Sequence, residues 1–255
     1  MFEAITLPRI LGEDSTSNVA LQIVAPNEGT YNKFDYLLFF DSRGLSTEDD
    51  DRSSSHLYLL AENLVKNHKS VLALSRPKNL TIFATLINFL KLNHKLRFKY
   101  LVTNMGFVDC TPKKKEFIED ILIQREKENN RDSIVFLEKY LLANKKFENL
   151  YTVDYSFEEL EYIAEMLDKS FEKIYFLNTP EIAATQILER SRPKSFYERL
   201  KTSNQLIFNI AKNMKKSYII DIASLEGDGK LSYDAVHYTS YGHQLIYKTI
   251  VDKII

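Results

Sequence analysis

A single cysteine, Cys110, in a chain of 255 residues leaves no partner for an intramolecular disulfide and excludes a multi-cysteine zinc site. One unpaired thiol fits a reducing compartment. Net charge is nearly absent as well. The 34 basic and 35 acidic side chains sum to −1, which removes the electrostatic reason to expect nucleic acid as the main partner. The clusters Lys113–Lys115 and Lys215–Lys216 are short, broken by acidic runs, and read as solvated faces. No window approaches the ~18 uninterrupted apolar residues of a membrane helix. The opening MFEAITLPRILGEDSTSN lacks the basic start and apolar run of a signal peptide. A cytoplasmic protein with no transmembrane segment is the expectation. The acidic run Glu48-Asp49-Asp50-Asp51 lacks the alternating oxygen ligands of a calcium loop, so no metal site is expected. Glycine is scarce too, with seven in all, and Gly44, Gly106 and Gly242 lie beside the segments that could carry chemistry. A chain so sparing with glycine is expected to place each where the backbone demands it.

What is present is a hydrophobic fraction of 44%, enough for a substantial core. Short apolar runs alternate with helical periodicity. Tyr36–Phe40, Ser70–Leu74, Tyr100–Thr103, Lys173–Leu177 and Ser217–Ile222 read as strands. Leu57–Lys66, Leu80–Leu92, Phe157–Lys169, Ser195–Lys215 and Gly242–Ile254 read as helices, as do Lys114–Arg125 and Ser133–Leu142. Five strands joined through helices require parallel crossovers. The expected fold is therefore one three-layer α/β/α domain over 1–255, with a five-stranded parallel sheet of flavodoxin-like type. Helices between about 113 and 169 exceed the minimum and suggest a lid or an oligomer contact.

In such a sheet ligands bind beyond the carboxyl ends of the strands. There the sequence offers Ser42 in Phe40-Asp41-Ser42-Arg43-Gly44, Asn104 in Asn104-Met105-Gly106, and the segment Asp234-Ala235-Val236-His237-Tyr238-Thr239. Taken alone, each has a plain structural alternative. Ser42 could cap a turn, Asn104 could serve a bend, and His237 could be a loop histidine satisfied by a nearby aspartate. An Asp and a His three apart in a loop can also reach each other, the carboxylate holding the imidazole for proton transfer. Thr239 is placed to cap the last helix on either reading. His56, His68, His94 and His243 have no matching carboxylate spacing and read as structural or surface residues. Arg43 and Arg76 would border the crevice and could hold an anionic group.

Serine after the first strand, asparagine after the third and Asp-x-x-His before the last helix, together with the closing D-A-V-H-Y-T-S-Y-G-H, resemble the SGNH hydrolases, or GDSL esterase/lipase family. The resemblance runs from about residue 34 to the end. It implies Ser42 as nucleophile, His237 as general base and acid, and Asp234 as the residue orienting His237. Asn104 and the Ser42 backbone N–H would be oxyanion donors. The family's further donor is a glycine N–H after strand two, where this chain has Leu74-Ser75-Arg76-Pro77-Lys78, so Ser75 or Arg76 would have to serve. Phe40 also replaces the glycine of Gly-Asp-Ser, and Asn104-Met105-Gly106 departs from Gly-x-Asn-Asp. The resemblance implies a serine esterase, with no cofactor, acting on a small-molecule or glycan ester. An O-acyltransferase and a non-catalytic binding protein on the same fold are its rivals.

Overall fold

The computed structural model describes residues 21–26, 32–46, 52–75, 82–127, 150–151, 155–181, 192, 194–225 and 231–255. Its strands are β1 (Leu21–Ala25), β2 (Lys33–Phe40), β3 (Val71–Ser75), β4 (Arg97–Thr103), β5 (Lys113–Lys114), β6 (Leu150–Tyr151), β7 (Lys173–Leu177) and β8 (Ser217–Ile220). Its helices are α1 (His56–Lys66), α2 (Phe83–Leu92), α3 (Phe107–Cys110), α4 (Lys115–Lys127), α5 (Phe157–Ser170), α6 (Lys194–Lys212) and α7 (Ser240–Ile254).

The main sheet has six strands in the order β1-β3-β2-β4-β7-β8. The five expected strands are all present and all parallel. The sixth, β1, lies antiparallel against β3, with Ile23 opposite Ala73. It went unread because its five residues, LQIVA, follow a polar segment and carry no flanking helix pattern. The central strands are buried along nearly their whole length, since helices cover both faces: β3 is buried at all five positions and β2 at seven of eight.

Alternation along the strands sends side chains to two cores. On one face Leu37, Phe39, Leu72, Leu101, Ile174 and Phe176 pack with residues of α2, α5 and α6. On the other, Leu38, Phe40, Ala73, Val102 and Leu177 pack against α1 and α7. The stripe expected on α1 is the one that turns inward: Leu57, Leu60, Ala61 and Leu64 are buried. Helix α5 begins with a capping box between Ser156 and Glu159 and buries Ile163, Ala164 and Leu167. It is thus the crossover helix between β4 and β7 rather than an addition to the fold. Of the segment expected to be extra, α4 and the small β5–β6 ladder lie outside the main sheet, whereas Ser133–Leu142 lies outside the described residues.

The order places a switch point beside β2, because the chain leaves β2 toward β3 on one side and returns to β4 on the other. The crevice such a reversal opens lies beyond the ends of β2 and β4, at Asp41-Ser42 and Asn104. Among the described residues, no helix is long and apolar enough to cross a membrane.

Candidate active site

Beneath the crevice sits a polar junction built on Asp41, and it joins the ends of four parallel strands. The Asp41 N–H donates to Asn104 Oδ1 at 2.9 Å, and Asn104 Nδ2 donates back to Asp41 Oδ1 at 3.0 Å. The Ser75 hydroxyl donates to the Asp41 carbonyl at 3.0 Å. The Arg43 guanidinium forks onto the Asp41 carboxylate, with Nη2 at 2.9 Å from Oδ2. It also donates to the Asn104 carbonyl at 2.6 Å and to Thr179 Oγ1, past the end of β7, at 2.8 Å. Its charge lies over the Phe107 ring at 4.2 Å. Burial disfavours the Arg43 cation, but the Asp41 carboxylate beside it more than compensates and raises its pKa.

These contacts correct one expectation. Arg43 does not hold a ligand anion. Its side chain is 1% exposed and its donors are committed to Asp41, Asn104 and Thr179. Ser75 is fully buried and its hydroxyl is used on the Asp41 carbonyl, so the oxyanion donor expected there is its backbone N–H and not its side chain. Arg76 lies outside the described residues.

Ser42 opens a single 3-10 turn, Ser42–Gly44, whose N-cap is Asp41 through its carboxylate to the Arg43 N–H at 2.9 Å. The capping role offered as an alternative for Ser42 is therefore filled by its neighbour. Ser42 itself is half-buried at the end of β2. Asn104 keeps one amide hydrogen beyond the one spent on Asp41, since a primary amide carries two. Gly106, just after it, holds φ at +112°, a conformation that side-chain-bearing residues rarely adopt.

The Asp234–His237 segment forms a small loop closed by a bridge between Ser232 and Tyr238. Asp234 Oδ1 accepts from the Val236 N–H at 2.9 Å and the His237 N–H at 2.7 Å, while Oδ2 meets His237 Nδ1 at 3.0 Å. Both backbone donors turn toward the carboxylate because Ala235 adopts φ +66°. That left-handed conformation costs a non-glycine residue roughly 1–2 kcal/mol. Packing of Ala235 against Phe107, Phe196 and Leu200 holds it there. Burial raises the Asp234 pKa, but the hydrogen bonds from the His237 ring and backbone outweigh it and hold the carboxyl far below the usual range. With Nδ1 engaged, Nε2 is the imidazole nitrogen left to exchange a proton. The ring is about a quarter exposed and stacks on Tyr233 at 6.2 Å between centroids.

The two halves meet through their neighbours. Tyr238, next to His237, packs on the His56 ring at 5.9 Å, and His56 packs on Phe40 at the end of β2 at 5.5 Å. Burial pushes the Tyr238 hydroxyl up to about 12, so it stays protonated. His56 and His243 pack beneath, with Nδ1 atoms 2.8 Å apart, and burial lowers both, His243 to about 4. Both are buried, so of the structural and surface readings the sequence offered for them, the structural one holds. Among the described residues, no group of three or more His, Cys, Asp or Glu is gathered as a metal site would require.

The loop depends on the start of α7. Thr239 caps that helix, accepting from the Gly242 N–H at 3.0 Å. A Cβ on Gly242 would stand 2.2 Å from the Leu231 carbonyl oxygen, where the loop begins. Replacing Gly242 with alanine is therefore expected to destabilise the fold by roughly 1–3 kcal/mol, as overpacking does. Helix propensity alone predicts the opposite sign. A thermal melt decides between them, and a variant at least as stable as wild type would mean the loop is not packed this tightly.

Sequence reasoning missed Asp41, Thr179, Tyr238 and Arg192, which donates to Asp234 Oδ2 at 2.8 Å. The only sequence signal was their position, since Asp41 and Thr179 both follow strand ends.

No protein-family model matches the chain, and no curated protein matches its sequence. Solved structures are similar to it. One is LAE5, an alpha/beta hydrolase enzyme from the metagenome of Lake Arreo, Spain, with TM-score 0.51 and 14% identity over 88% of this chain and 94% of that one. Another is a catalytic mutant of Axe2, an acetylxylan esterase from Geobacillus stearothermophilus, with TM-score 0.52 and 10% identity over 86% of this chain and 94% of that one. The chain shares with them an α/β fold in which helices flank a central sheet. At such identities the likeness is one of architecture, and the chemistry has to be argued from the residues.

Proposed function

We propose that the protein is a serine esterase in which Ser42, His237 and Asp234 form a catalytic triad. The observation that carries this reading is the Asp234–His237 pair at 3.0 Å, on a loop whose next residue, Tyr238, packs through His56 onto Phe40 at the end of β2. The same pair serves the proton transfers that acyl transfer needs.

Ser42 Oγ attacks the ester carbonyl carbon while its proton passes to His237 Nε2. The Ser42 N–H and the second Asn104 amide hydrogen face the resulting oxyanion. The intermediate collapses to an acyl-enzyme, and the departing alkoxide takes the proton from His237. Water then repeats the sequence: its proton goes to His237, its oxygen bonds to the acyl carbon, and Ser42 leaves with the proton returned. Asp234, ionised throughout, fixes the Nδ1–H tautomer and stabilises the imidazolium.

A small O-acyl group on a carbohydrate is the substrate class we favour, supported by the architectural likeness to an acetylxylan esterase. The test is release of acetate from p-nitrophenyl acetate and from acetylated xylo-oligosaccharides, with parallel labelling by a serine-reactive fluorophosphonate. Turnover with stoichiometric labelling supports the esterase. Product transfer to an added sugar hydroxyl would identify an O-acyltransferase. Neither turnover nor labelling would leave a binding protein on this fold.

A further inference from the structure

Asp234 has a second strong partner besides His237. Arg192, just ahead of α6, donates from Nη2 to Asp234 Oδ2 at 2.8 Å, the oxygen that His237 Nδ1 also meets. Its Nε donates to the Asp234 backbone carbonyl at 2.9 Å. The guanidinium lies over the Phe196 ring at 5.3 Å, and the side chain is 12% exposed. We propose that Arg192 is a positioning residue that clamps Asp234 at both its carboxylate and its carbonyl and thereby sets the orientation and working pH range of His237. This rests on the reading of His237 as the catalytic base.

The reasoning is geometric first. Two backbone N–H groups anchor Oδ1, but Oδ2 is otherwise held by the same imidazole that it has to orient. Arg192 fixes the other oxygen and the main chain, and Phe196 fixes Arg192, so the loop is tied to α6. A fork can do this where a point charge cannot, because the two acceptors lie on different groups.

The electrostatic consequence has a definite sign. Among the described residues, the groups facing His237 are Asp234 and Tyr233 from its own loop, Arg192 from the chain ahead of α6, and His243 from α7. Burial keeps His243 neutral, and beyond Tyr238 the Arg43 charge is paired with Asp41. A cation sharing Asp234 Oδ2 opposes the charged imidazole and draws on the oxygen that would stabilise it. Removing Arg192 therefore favours the protonated ring, and a base that must be neutral then works only at higher pH.

The experiment is an NMR titration of the His237 imidazole in wild type, Arg192→Gln and Arg192→Lys, with His237→Gln to assign the resonance. Esterase pH profiles of the first three accompany it. In Arg192→Gln the titration midpoint and the acid limb of kcat/KM are expected to move up by roughly half to one pH unit. Its kcat is expected to fall about tenfold with KM nearly unchanged. Arg192→Lys keeps the charge and hence the midpoint, but loses several-fold in kcat because one ammonium cannot hold both acceptors. An Arg192→Gln midpoint equal to wild type overturns the proposal, whatever happens to stability. Should that variant not fold, Arg192→Lys with wild-type kcat overturns it instead. If the esterase reading fails and nothing turns over, the NMR titration still decides the role of Arg192.

Discussion

Replacing Ser42 or His237 with alanine is expected to reduce p-nitrophenyl acetate turnover by roughly a thousandfold or more, with little change in the melting temperature. The small stability effect follows from position. Ser42 is half-buried and the cap of its turn is supplied by Asp41, so losing the hydroxyl removes no structural bond among the described residues. His237 contributes its backbone N–H to Asp234 whatever its side chain. Asp234→Asn should be as damaging as either. An asparagine whose Oδ1 still accepts from the Val236 and His237 N–H groups must turn its NH2 toward His237 Nδ1 and Arg192. That stabilises the wrong imidazole tautomer and places donor against donor, a loss on the order of ten-thousandfold in the best-known triads. Side-by-side kinetics with melting curves measure all three. Activity within tenfold of wild type in Ser42→Ala would remove the covalent mechanism.

Arg43→Met is expected to cost about 3–5 kcal/mol of folding stability, because it strands the Asp41 carboxylate in the interior. Both side chains are 1% exposed, and Arg43 also satisfies the Asn104 carbonyl and Thr179 Oγ1. A loss that large threatens folding outright in a domain with ordinary total stability. The double variant Asp41→Asn, Arg43→Met should recover part of it, since a neutral amide no longer demands a cation. Urea unfolding of wild type, the single variant and the double variant measures the coupling. A single variant within about 1 kcal/mol of wild type would show that water or another group reaches Asp41.

The two predictions concern one piece of architecture. The residues below the crevice exist to place those above it: Asp41 caps the Ser42 turn, orients Asn104 and carries Arg43, which in turn holds Asn104 and Thr179. A buried ion pair is an inefficient source of stability. This one, however, connects the ends of β2, β3, β4 and β7 beneath the crevice, so its use is geometric.

Much of this was written locally in the chain. The five parallel strands were legible because each is a short apolar run flanked by helical periodicity, and burial on both faces leaves no polar alternation. The stripe on α1, the Thr239 cap and the Asp234–His237 contact depend on neighbours within a few residues, so spacing alone located them. Strand β1 was not legible, because pairing antiparallel with β3 leaves no mark on five isolated residues. The fate of Arg43 and Ser75 was equally invisible. An arginine after a strand looks solvent-facing until it is known that Asn104, 61 residues on, and Thr179, 136 residues on, supply its acceptors. Arg192 reaches Asp234 across 42 residues for the same reason. Sequence by itself determined the five parallel strands, the helices between them and the contacts closed within one loop, since these follow from periodicity and short-range sterics. Tertiary structure alone decided which charges are buried and what each one holds, because those partners are brought together only when the strands close side by side.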